Sequence, residues 1–163
     1  MIELHSNSPE QTRAIAATIA RLARPGDLIV LAGQMGAGKT AFAQGFAKAL
    51  GIHEPVTSPT YTIVHTYQAG PTTLHHADLY RLDHTAEVDD LALAELLDDC
   101  SIMLVEWGDV VELGPHLRVE LCLDDADTDD VGDADGRRLA ISSSDHRWAP
   151  RWERLEAALQ EWA

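Results

Sequence analysis

The sequence predicts an α/β fold: one domain over residues 1–163, with a mixed parallel and antiparallel sheet flanked by helices. Three observations carry that prediction. Asp27 opens the apolar run Leu28-Ile29-Val30-Leu31-Ala32, which leads through a glycine-rich turn into a helical pattern. Ile102-Met103-Leu104-Val105 is a second short apolar run, of the kind that suits strands buried on both faces. Two β-prone runs, 61–68 and 72–79, are separated only by Ala69-Gly70-Pro71, which predicts an antiparallel hairpin.

The remaining elements follow in order. Ser8-Pro9-Glu10-Gln11 predicts a helix start, with Ser8 as the cap, Pro9 in the first turn and Gln11 completing a capping box. Ile15, Ile19 and Leu22 then recur at helical spacing, and Pro25-Gly26 ends the helix. A second helix is predicted over 40–50, with Gly51 as its stop. A third is predicted over 87–99, with Leu91 and residues 93–97 on its apolar side. Residues 117–123 and 138–142 predict two more strands. Between them lies an aspartate tract, from Asp124 to Asp135. It lacks the closing Glu of an EF-hand, so a solvated Gly/Asp hairpin loop is expected rather than a calcium loop. Trp148, Trp152, Leu155, Leu159 and Trp162 stand at helical steps and predict one face of a C-terminal helix packed on the core, with a partner-docking face as the alternative.

Composition narrows the function. The chain has 163 residues, with 12 Lys and Arg against 27 Asp and Glu, a formal net charge of -15. So acidic a surface repels phosphate backbones and anionic lipid, so no direct nucleic-acid binding by the isolated chain is expected, and no membrane association. No export signal or run of 18 apolar residues is present, and a cytoplasmic location is expected. Cys100 and Cys122 stand far apart in apolar contexts and are expected to be buried thiols, neither disulfide nor metal pair.

The chemistry concentrates at Gly33-Gln34-Met35-Gly36-Ala37-Gly38-Lys39-Thr40, which fits G-x-x-x-x-G-K-[ST] between a predicted strand and a predicted helix. Glycines let successive N–H groups face one point, and the helix N-terminus adds its positive dipole end there. Met35, Gly36, Ala37, Gly38, Lys39 and Thr40 are therefore the expected phosphate-binding residues, with Lys39 on the β- and γ-phosphates and Thr40 on Mg²⁺. The fold prediction thereby narrows to a single P-loop NTPase-like domain. Such a site needs a further acidic group, and Glu106 stands at the end of the second apolar run, where ligands bind in parallel sheets. It can hold Mg²⁺ through water or polarise the attacking water.

Three further features bear on the site. The loop Val56-Thr57-Ser58-Pro59-Thr60-Tyr61 lies where nucleotide hydrolases carry a switch segment. His76 and Asp78 share one face of a predicted strand, alternating with Leu79. A zinc site there lacks a distant Cys/His pair. An Asn-Lys-x-Asp base-reading motif is absent, which excludes an ordinary GTPase. A P-loop small-molecule kinase would bring several lid arginines, and only Arg81 lies between Thr40 and Glu106; it remains the rival enzyme, beside a nucleotide-binding scaffold that never turns over.

These blocks, taken in order, resemble the TsaE (YjeE) family of bacterial ATPases over most of the chain, from about Ser8 to about Asp124. The P-loop is matched at 33–40. The switch-like block is matched by Val56, Ser58, Pro59, Thr60, Tyr61, Ile63 and Tyr67, and the next block by His76, Asp78, Leu79, Tyr80 and Arg81. The Glu-Trp pair after an apolar strand is matched by Glu106 and Trp107. Gln34, Ala41 and Ala92 depart from the family's usual residues, without removing a phosphate or metal ligand. The resemblance implies a Mg²⁺-dependent ATPase of tRNA N6-threonylcarbamoyladenosine (t6A) modification, with ATP and Mg²⁺ as cofactors and TsaD-like and TsaB-like partners. It implies catalytic roles for Lys39, Thr60, Asp78, Glu106 and Trp107, with Thr40 and Glu106 on the metal. It also places the adenine, loosely, near residues 8–12.

Overall fold

The first strand is one the motifs did not announce. Ile2, Leu4 and Ser6 are buried while Glu3 and His5 face out, a period of two that makes β1, Ile2–Ser6. In the computed structural model, which describes residues 1–59, 63–80, 93–110, 112–124 and 136–163, it is the edge of a seven-stranded sheet. After it come α1 (Pro9–Leu22), β2 (Leu28–Ala32), α2 (Lys39–Ala49), β3 (Val64–Ala69) and β4 (Thr72–Asp78). Then follow α3 (Leu93–Leu96), β5 (Ser101–Glu106), β6 (Leu117–Leu123), β7 (Arg137–Ser143) and α4 (Trp152–Leu159).

The strand order is β1-β7-β6-β2-β5-β4-β3. The inner four, β6, β2, β5 and β4, run parallel; β3 and β7 pair antiparallel on either side, and β1 closes the edge against β7. The mixed sheet is thus as predicted. Parallel pairing places the C-terminal ends of β2, β5 and β4 side by side, with Leu31 and Asp78 both in register with Glu106.

The two apolar runs alternate as buried strands must. Ile29, Leu31, Ile102 and Leu104 join one core with Ile15, Ile19, Phe42 and Phe46 of α1 and α2. Leu28, Val30, Met103 and Val105 face the other way, with Ala77, Leu79 and Leu93. The helices α1 and α2 approach backbone to backbone at Gly45. A Cβ there would lie 2.4 Å from the Arg13 carbonyl oxygen. Arg13 Nη2 also donates to Gln44 Oε1 at 3.2 Å, and Gln44 Nε2 donates to the Val56 carbonyl at 3.2 Å.

Several local expectations need correction. Ser8 caps α1, accepting from the Gln11 N–H, but Gln11 Oε1 accepts from Asn7 N–H, one residue outside the capping box. The third helix stops at Leu96. Asp98 then turns the chain: its carboxylate accepts the Cys100 N–H, and that hydrogen bond holds its carboxyl below the usual range. Residues 87–92 of that predicted helix lie outside the described residues. The C-terminal segment is not one helix. His146–Arg151 and Gln160–Trp162 are 3₁₀ turns on either side of α4, and Pro150, lacking an N–H, sits inside the first. The aromatic face nonetheless packs inward, with Trp148, Leu155 and Leu159 buried and Trp152 and Trp162 laid against the core. Cys100 is exposed and Cys122 half-buried, so the expectation of buried thiols fails: Cys100 sits in the turn after α3, and Cys122 opposes Arg138 on β6. Both are free. The aspartate tract, 125–135, lies outside the described residues, so its loop reading does too. Among the described residues no helix is long and apolar enough to cross a membrane.

Candidate functional site

The turn after β2 is built by glycine geometry. Gly33 has φ +127°, and a Cβ there would sit 2.0 Å from the Leu121 carbonyl oxygen of β6, so no side chain fits. Gly38, at φ +103°, caps α2 in the left-handed region that α-helix entry here demands. The backbone thus curls between Gly33 and Lys39 and delivers the N-terminus of α2 to the sheet's C-terminal edge.

A cavity of ≈ 320 Å³ opens there, lined by Met35, Gly36, Gly38, Lys39, Thr40, Ser58, Asp78, Tyr80, Glu106 and Trp107. It gathers residues from β4, β5, the β2–α2 turn and the loop after α2. Of the residues singled out from sequence, Lys39, Thr40, Asp78, Glu106 and Trp107 meet in it, together with Met35, Gly36 and Gly38. Ala37 belongs to the same turn and is buried. Thr60 lies outside the described residues, as do Tyr61 and Arg81.

Lys39 is folded onto its own loop. Its Nζ donates to the Gly33 carbonyl at 2.6 Å and to the Gln34 carbonyl at 2.8 Å, and sits 3.9 Å from the centre of the Trp107 ring. Burial pushes its ammonium below the usual range, while the charges of Glu106, Asp78 and Asp109 pull the other way. Trp107 is held there by an uncommon backbone. It is the non-glycine residue with positive φ among those described, at 61°, its N–H bonded to the Leu31 carbonyl at 2.9 Å. A bulky residue in that region is strained, by about 1–3 kcal/mol. The strain turns the indole away from the strand path and over Lys39, against Tyr80 at 5.0 Å between ring centres.

The two carboxylates are separately held. Asp78 accepts from Ser58 Oγ and from the Tyr80 N–H at 3.0 Å. Glu106, 2% exposed, accepts from His76 Nε2 at 2.9 Å, with the Thr40 hydroxyl 3.4 and 3.5 Å from its two oxygens. Those Thr40 separations are long for O–H···O bonds, so Thr40 and Glu106 converge without closing on one another. Hard oxygen donors facing this glycine-built turn fit Mg²⁺, which takes one or two protein oxygens. Among the described residues no three His, Cys, Asp or Glu form a metal cage.

Comparison with known proteins supplies the family. The family model described as "Threonylcarbamoyl adenosine biosynthesis protein TsaE" matches residues 6–132, which include every block of the site. The chain belongs to the TsaE family. A TsaE protein of Bacillus subtilis is 42% identical over 124 residues, covering 76% of this chain and 77% of that one. One of Streptomyces coelicolor is 38% identical, covering 84% and 93%. The crystal structure of Bacillus subtilis YdiB superposes with a TM-score of 0.76 at 31% identity, over 96% of this chain and 94% of that one. The relatives' shared description, tRNA threonylcarbamoyladenosine biosynthesis, places this TsaE chain in a tRNA-modification family.

Some site residues carried no assigned role in the sequence reading. Ser58 and His76 stood in family blocks, but only the fold shows that they bind Asp78 and Glu106. Arg137 had no signal at all: it is brought to the loop by β7, where its Nε lies 3.1 Å from the position a Gly38 Cβ would take.

Proposed function

We propose that the chain is a Mg²⁺-dependent ATPase of t6A biosynthesis, acting in the cytoplasm on a TsaB–TsaD-like complex to support its repeated turnover. The observation that carries this reading is the convergence of Lys39, Thr40 and Glu106 at one phosphate-sized turn. In this reading the N–H groups of 35–40 wrap the phosphates, and Lys39 exchanges its two carbonyl partners for phosphate oxygens. Bound Mg²⁺ would neutralise charge on the β- and γ-phosphates. Thr40 and Glu106 would hold it, and Trp107 would keep Lys39 in place. Asp78, released from or kept on Ser58, would sense the switch loop that carries Thr60. Apart from Lys39, no lysine or arginine side chain lines the described cavity. Charge stabilisation of the transferring phosphoryl group is therefore incomplete, and hydrolysis by the isolated chain should be slow.

Steady-state ATPase assays, with and without the TsaB–TsaD complex, test this. Slow turnover alone, at least tenfold stimulation by the complex, and a loss of about 10²-fold in Glu106→Gln are expected. Absence of hydrolysis in both conditions points to the scaffold reading. Phosphorylation of a metabolite in place of water points to a kinase.

A further inference from the structure

The imidazole of His76 is fully buried, at 0% exposure, yet it lies under the one carboxylate that faces Thr40. It stands on β4 opposite Leu104 of β5, two residues before Asp78, which is opposite Glu106. That diagonal across a parallel pair sets Nε2 2.9 Å from Glu106 Oε1. The other ring nitrogen, Nδ1, is buried with no hydrogen-bond partner among the described residues.

This asymmetry decides which nitrogen bears the proton. An ionised carboxylate only accepts, so Nε2 must carry the hydrogen and donate. A proton on Nδ1 would then be a buried N–H with no acceptor, whereas a bare Nδ1 lone pair leaves no donor unmet. The ring is thereby fixed as the Nε2–H tautomer. One oxygen of Glu106 is tied down by that bond. The other, Oε2, has no such bond; it lies 3.4 Å from the Thr40 hydroxyl, which is 3.5 Å from the bonded oxygen, at the cavity that also receives Lys39.

We propose that His76 is a positioning residue: it fixes the rotamer of Glu106 so that one carboxylate oxygen is presented to a divalent cation beside Thr40. The inference rests on the Mg²⁺–nucleotide reading of the site. Donors behind a metal-binding carboxylate set its orientation, and their loss typically costs 10–100-fold in metal affinity. His76 touches no nucleotide atom in this arrangement, so the loss should fall on the metal and spare the metal-free nucleotide.

The experiment titrates Mn²⁺ into the chain with ADP bound, followed by electron paramagnetic resonance, and measures ADP affinity separately in EDTA. His76→Phe keeps the ring volume and removes the donor; His76→Gln restores an N–H near the Nε2 position. Mn²⁺ should bind about 10–100-fold more weakly to His76→Phe, and within a fewfold of wild type to His76→Gln. ADP affinity in EDTA should stay within about twofold for both. In the wild-type chain, ¹⁵N–¹H imidazole spectra should report the Nε2–H tautomer for His76, a readout that survives even if His76→Phe does not fold. Wild-type affinity in a folded His76→Phe overturns the proposal. So does a folded His76→Gln as weak as His76→Phe, which would make the role one of packing, and so does an Nδ1–H tautomer. Failure of the wild-type chain to take Mn²⁺ with ADP overturns the parent reading of the site instead.

Discussion

In the proposed site Lys39 would do two incompatible jobs with one ammonium. It satisfies the Gly33 and Gln34 carbonyls and lies on the Trp107 ring, and to reach a phosphate it would leave at least some of these. A charged hydrogen bond contributes about 1.5–3 kcal/mol, but the measured net is what remains after the carbonyl bonds are given up. Lys39→Ala should therefore weaken ATP roughly 10-fold to 100-fold, nearer the lower figure, by calorimetry; unchanged affinity would remove Lys39 from the phosphate site. That Lys39, Thr40 and Glu106 meet at one cavity was legible in the sequence, the first two from the spacing of the glycine motif and Glu106 from its place at a strand end. Ser58 and His76 were legible only as members of blocks. Their partners, Asp78 and Glu106, stand 20 and 30 positions away: β4–β5 pairing brings His76 to Glu106, and the loop after α2 carries Ser58 back to Asp78 at the end of β4. Trp107 is intermediate: its identity was visible, but the positive φ that swings it over Lys39 has no sequence signature in a non-glycine residue.

The elements were predicted well where periodicity and punctuation agreed. The buried strands β2 and β5, the hairpin and α1 fall in that class. β1 is five residues with only two large apolar side chains, a period-two pattern too short to announce a strand without its partner β7. The C-terminal segment kept its apolar face but lost helical continuity to Pro150, whose missing N–H outweighs a favourable stripe. Between elements, the α1–α2 contact rests on Gly45, and two effects oppose there. Alanine in a helix interior is favoured over glycine by about 1 kcal/mol. A new Cβ only 2.4 Å from the Arg13 carbonyl, a backbone atom, forces the helices apart, and overpacking of this kind costs about 1–3 kcal/mol. The clash should win. Gly45→Ala is expected to lower the thermal midpoint, and because Gln44 beside it holds the Val56 carbonyl, the loop at Val56 should loosen as well. A midpoint equal to or above wild type would show that the helices slide apart without cost.

At the scale of the whole molecule, charge and ion pairing together bear on how a tRNA-modification protein meets its RNA. The net charge is -15, with 12 cationic residues against 27 acidic ones. Many of those few cations are already engaged. Arg13, Arg118, Arg138, Arg147 and Arg151 each pair with a carboxylate, and Arg151 is buried on Asp27 at 2.7 Å. Lys39 is turned into its own loop. Affinity for a phosphate backbone grows with the number of phosphates neutralised, and each contact adds nearly one unit to the salt slope. A surface with so few uncommitted cations neutralises few phosphates, while its excess carboxylates raise the potential against approach. The isolated chain should therefore show no salt-sensitive tRNA binding at about 0.15 M ionic strength, where screening leaves a Debye length of about 8 Å. Recruitment would fall to the partner proteins, with this chain contributing nucleotide chemistry. Gel shifts with purified chain and tRNA, repeated across a salt series, check the point. Micromolar binding that weakens steeply with salt would mean that a cationic patch forms despite the composition. The segments at 81–92 and 125–135 hold Arg81 and a run of aspartates, and give little material for such a patch. The same acidity favours docking onto a basic protein surface, so association with the partner complex should weaken as salt rises even though RNA binding by the chain alone is absent.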